Sequence, residues 1–111
     1  MALKLVVRNK ARVSVSGTVN DENGSPVKFD FVLLCKRINQ TAIDAVMEDR
    51  KSSVQKFLHS VVEGWEGVLN ADDTPRAFSP ENLSDTLETP GLHTVCFHAY
   101  LKEVGAVAKN L

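Results

Sequence analysis

No apolar run in this chain approaches the roughly 20 residues that a helix needs to cross a bilayer. The amino-terminal stretch Met1-Ala-Leu-Lys-Leu-Val-Val-Arg8 gives way to Arg8, Lys10 and Arg12 too early for a secretory signal. A soluble cytoplasmic protein is the expectation. Cysteine is scarce: Cys35 and Cys96 are far apart and both sit in apolar segments. That placement predicts buried thiols in a reducing compartment, with a disulfide between them as the alternative. The six glycines are scattered and form neither GxGxxG nor GxxxxGK, so no phosphate-cradling loop is present. GxSxG, HExxH and CxxC are missing as well. The local signatures of nucleophilic and metal-assisted catalysis are therefore absent, although a triad assembled from distant residues would leave no such trace. The chain is not expected to be an enzyme, and no metal or cofactor is expected.

What is there is ordinary globular composition. Hydrophobic residues are 43% and charged residues 24%, too apolar for a disordered chain. At 111 residues, one domain spanning 1–111 is expected. Net charge is −1, but residues 1–37 carry seven Lys/Arg against three Asp/Glu, and residues 38–111 carry six against eleven. The basic residues are spread out rather than gathered into an aromatic-laced stripe, which argues against a nucleic-acid partner. Opposite signs in the two parts would favour head-to-tail self-association.

The amino-terminal third alternates with period two. Val13, Val15 and Val19 take turns with Arg12, Ser14, Ser16 and Thr18, the pattern of a half-buried strand. Asp21-Glu-Asn-Gly-Ser25 is turn chemistry, because Asn-Gly accepts positive φ angles. Val27, Phe29, Phe31, Leu33 and Cys35 then alternate with Lys28 and Asp30. From Val32 to Leu34 both faces are apolar, which predicts a cover of helices at that end. Leu3–Val7 is a candidate edge strand.

From residue 38 onward the chain reads as helix. Asn39 caps a helix to about Asp49, with Ala42, Ile43, Val46 and Met47 on one face. Ser52 or Ser53 caps the next, whose Val54, Leu58, Val61 and Trp65 recur at spacings of four, three and four. Gly64 and Gly67 are expected to end it around Trp65. Leu69–Phe78 is an exposed loop by composition. Ser79-Pro80-Glu81 starts a short helix anchored by Leu83 and Leu87. Thr89-Pro90-Gly91 restarts the chain into a last helix, Leu92 to Ala108, with two candidate core faces. One is Leu92, Val95, Cys96 and Ala99 with Glu103, and the other is Phe97, Leu101, Val104 and Ala108. Two faces imply two neighbours, one of them a candidate second subunit. The expected fold class is α+β, with an antiparallel hairpin or small sheet (1–37) followed by about four helices (38–111).

His93 and Cys96 lie one helical turn apart, but two ligands do not close a zinc site. Glu66, Asp72 and Asp73 form an acidic loop that lacks the ligand order of a calcium site, so a solvated turn is expected. Trp65, between two glycines, is either a core plug or an aromatic anchor for a partner.

The stretch Val-Val-Glu-Gly-Trp-Glu-Gly-Val68, an acidic turn with a proline, Ala-Phe-Ser-Pro-Glu-Asn-Leu83, a proline-glycine break and a closing helix with Ala-Tyr-Leu resemble the tail assembly chaperones of long-tailed bacteriophages. The likeness covers roughly Val54 to Leu111 and extends loosely to Val27–Arg37. It implies a non-enzymatic protein of the host cytoplasm that binds the tape-measure protein and keeps it soluble until tail-tube subunits polymerise around it. It also implies a multimer. By position Trp65, Phe78 and Leu83 match that pattern. With Phe97, Leu101 and Val104 from the last helix they are the candidate partner-binding residues. A structural tail or neck subunit of the virion is the alternative.

Overall fold

Apolar residues at alternate positions build a long hairpin: β1 (Lys10–Asn20) pairs antiparallel with β2 (Pro26–Lys36) in unbroken register from Lys10↔Lys36 to Asn20↔Pro26. The Asp21 carboxylate organises the turn by accepting the backbone N–H groups of Asn23 and Ser25, and Gly24 takes the positive φ of 78°. The computed structural model describes residues 10–48 and 53–105. Leu3–Val7, Asp49, Ser52, Ala108 and the side chain of Met47 lie outside the described residues. Beyond the hairpin, the order is α1 (Gln40–Glu48), α2 (Val54–Val61), β3 (Val62–Glu66), α3 (Pro80–Leu87) and α4 (Leu92–Val104). This is an α+β fold in which the described residues form one three-stranded antiparallel sheet, ordered β1-β2-β3, and four helices.

The helix caps are the expected ones. The Asn39 side chain accepts the N–H of Ala42, Ser53 that of Lys56 and Ser79 that of Asn82, each satisfying an orphan donor of the first turn. β3 is the departure. Val62–Glu66 was expected to finish the second helix, but that helix stops at Val61 and the chain pairs with β2 through Leu33↔Trp65, Leu34↔Gly64 and Cys35↔Val62. One extra residue, Glu63, bulges from the ladder. Val62 and Trp65 consequently face the same side while three apart, a spacing that imitates a helix.

The odd-numbered face of the hairpin is the core face. Val13, Val15, Leu33 and Cys35 are buried there against Phe57, Leu58 and Val61 of α2, Leu83 and Leu87 of α3, and Leu92, Cys96 and Tyr100 of α4. Both cysteines are free thiols inside this cluster. Burial drives Cys35 up to about 12 and Cys96 up to about 11. The buried row of α4 therefore runs Leu92, Cys96 and Tyr100, and Glu103 is exposed rather than part of it. Phe97 of the second face meets Phe57 edge-on, with centroids 5.4 Å apart, so α2 is the neighbour of that face within the chain.

The helices expected at the Val32–Leu34 end cover Leu33 and Cys35 on the inner face, while on the opposite face Val32 and Leu34 are half-buried. Lys10 of β1 pairs with Glu63, and Arg12 pairs with Glu66 at 2.5 Å, so charged stems reach across the central strand. Two pairs of opposite charges from the two parts thus meet within one chain.

Candidate client-binding surface

The hairpin is longer than the helices beneath it. Eleven residues of strand span about 36 Å, whereas the thirteen residues of α4 span about 20 Å. The inner face is sealed at one end and open at the other. Val13 and Val15 have no exposed surface, yet Val19 is 39% exposed and its partner Val27 46%.

Aromatic side chains pave this open half. Phe29 and Phe31 stack with ring centroids 6.1 Å apart, and both are half-buried. Phe29 lies across Gly17 of β1, where an added Cβ would come within 2.8 Å of the ring. The missing side chain at Gly17 is what lets the ring lie flat. Opposite stand Val68 and Leu69, which follow β3, and Leu92 at the start of α4; Leu69 is 52% exposed. Between these walls runs a shallow, mostly apolar groove of about 240 Å³. Val19, Phe29, Phe31 and Leu69 were not singled out as partner residues. The alternation showed which face of the strands is apolar, but not how far the helices would cover it.

The six expected partner residues are placed differently. Trp65 packs edge-on against Phe78, with centroids 5.2 Å apart, and its indole N–H donates to the Arg76 carbonyl at 2.8 Å. Both rings are half-buried, so the pair closes the 69–78 loop onto the sheet. Leu83 is enclosed in the core at 2% exposure and presents no surface of its own. Phe97, Leu101 and Val104 are half-buried along one flank of α4 and pack on the core.

The loop itself is built, not slack. Asn70 and Thr74 pair backbone to backbone at 2.8 Å, and the Arg76 N–H reaches the Val68 carbonyl. The Arg76 guanidinium contacts Asn70, Asn82 and Asp85, tying the loop to α3. Asp72 is held below the usual carboxylate range by the Thr74 hydroxyl and backbone N–H, so its charge serves the turn.

Among the described residues, no group of three or more His, Cys, Asp or Glu is placed to hold a metal ion. Cys96 is buried and His93, three residues before it, is half-buried; burial raises the Cys96 pKa and keeps it a thiol at neutral pH. His59 Nε2 lies 2.9 Å from Ser84 Oγ, a contact not foreseen from sequence. It joins α2 to α3 at the exposed surface, and no acid among the described residues hydrogen-bonds to the imidazole. No described helix is long and apolar enough to cross a membrane. Compared with protein-family models, curated proteins and solved structures, the chain matches none.

Proposed function

We propose that this chain is a non-enzymatic tail assembly chaperone of the host cytoplasm that covers apolar helical segments of the tape-measure protein. One observation carries the proposal: the open end of the hairpin's core face, where Val19, Phe29, Phe31 and Leu69 line a groove that the chain's own helices leave uncovered. A client helix laid there would bury an apolar row by helix-in-groove packing. Fully burying each aliphatic side chain gains roughly 1.5–3 kcal/mol, so a few contacts hold a client weakly and release it to stronger tube contacts. The likeness of residues 54–111 to tail assembly chaperones supplies the identity of the client. Self-association belongs to the same proposal, since several weak grooves on one particle would hold a long client by avidity.

Co-expression with the tape-measure protein tests it. The wild-type chain raises the soluble fraction of the client, and Val19→Asp/Leu69→Asp, which places charge in the groove, loses most of that effect while remaining folded by circular dichroism. No gain in solubility with the wild-type chain, or full activity of the double variant, rejects the groove as the client site.

A further inference from the structure

Among the described residues no strand covers the outer edge of β1, and we infer that it pairs antiparallel with β1 of a second copy, joining two sheets into one of six strands. Among the described residues, β1 has a single neighbour, β2, and no backbone hydrogen bond leads from it to any other element. The usual protections of an edge are missing. β1 holds no proline, its register with β2 has no bulge, and its inward row, Ala11, Val13, Val15, Gly17 and Val19, carries no charge. Its only charged residues, Lys10 and Arg12, lean across the sheet toward Glu63 and Glu66 and leave Val13–Asn20 uncharged. β3, at the other edge, is guarded: it is five residues long, bulged, and bears Glu63 and Glu66.

Hydrogen-bond parity selects the register. The Asp21 N–H donates to the Ser25 carbonyl at the turn, so the odd residues of β1 exchange bonds with β2. The even residues, Lys10 through Asn20, must then aim their N–H and C=O groups outward. Two such edges pair best about an axis through Val15, because that register sets Ser14 against Ser16 of the other copy and leaves no residue of β1 overhanging. It is self-complementary, as a two-fold interface requires. Charge favours the same choice: Lys10 of each copy comes beside Asn20, next to the acidic turn Asp21-Glu22 of the other. A parallel pairing would instead stack Lys10 on Lys10 and Arg12 on Arg12.

This pairing specifies the self-association named in the proposed function, and its test reads only mass and exchange, so its failure leaves client binding to be judged separately. Light scattering on the wild-type chain should give twice the 12.2 kDa chain mass. Ser14→Lys/Ser16→Lys and Ser14→Glu/Ser16→Glu should each fall to the single-chain mass, since like charges then face each other. Mixing the two variants should restore the doubled mass. As a check that needs no variant, the outward amides of Ser14, Ser16 and Thr18 should exchange slowly in concentrated protein and fast on dilution. A wild-type monomer at all concentrations overturns the inference. So do a dimer unmoved by either charged variant, variants that do not pair when mixed, and rapid exchange of those amides in the dimer.

Discussion

At Tyr100 a single oxygen serves two backbone groups: its hydroxyl donates to the Lys36 carbonyl at 2.7 Å and accepts the Ile38 N–H at 3.2 Å. Those groups lie where β2 ends and the chain turns toward α1, so the contact ties α4 to the sheet exit. The ring has no exposed surface and meets Phe57 edge-on at 5.5 Å. Tyr100→Phe keeps the packing and strands both backbone groups, which costs roughly 1–3 kcal/mol in urea melts. The pattern of apolar residues did not point to Tyr100, because a residue with a polar tip was assigned to neither face of α4. The cysteines give a pH signature. Their folded values, about 12 for Cys35 and about 11 for Cys96, exceed the ordinary 9.0, so the fold retains thiol protons that the unfolded chain has released. Stability is thus unaffected by them below pH 9 and falls as pH rises from there, up to about 11 for Cys96 and about 12 for Cys35, by up to about 1.4 kcal/mol per pH unit for each thiol. Cys35→Ala/Cys96→Ala lowers stability overall but shows a shallower decline between neutral and alkaline melts.

Among the elements, the turn and the caps were legible because they depend on neighbours in sequence. Asp21–Ser25 folds through its own Asp carboxylate, and Asn39, Ser53 and Ser79 each cap the helix that follows. β3 was not legible. Val54, Leu58 and Val61 do form a helix stripe, and Trp65 extends that stripe only because the bulge at Glu63 separates two inward residues by three positions. What decides for strand is remote in sequence: the edge of β2, to which Val62–Glu66 pairs. The exit from β3 depends on Gly67, with φ of 83° beside the Phe31 backbone. Gly67→Ala forces a left-handed residue with a Cβ and costs about 1–2 kcal/mol. Because Trp65 lies two residues upstream, its fluorescence should report the melt and shift in the native baseline.

For the molecule as a whole, the apolar surface that carries the proposed function follows from unequal lengths. A hairpin of about 36 Å laid on helices of about 20 Å or less must leave part of its apolar face bare. The sequence showed both quantities, the alternation through Val27, Phe29 and Phe31 and the short helical segments. It did not show which end of the hairpin the helices would sit beneath, because that depends on contacts such as Cys96 and Tyr100 against the Cys35 end. Trp65 and Phe78 looked more like partner anchors than the valines did, yet their half-buried rings pack on each other and secure the loop. Exposed valines in a groove have the opposite logic: they contribute little to the fold because they are already wet. Val19→Asp/Leu69→Asp, at positions 39% and 52% exposed, should therefore change unfolding free energy by no more than about 0.5 kcal/mol per site. The same double change should remove most binding of an apolar dye such as ANS to the native chain. A loss of several kcal/mol would mean that these side chains belong to the core, and unchanged dye binding would place the accessible apolar surface elsewhere, most plainly on the Phe97–Val104 flank of α4.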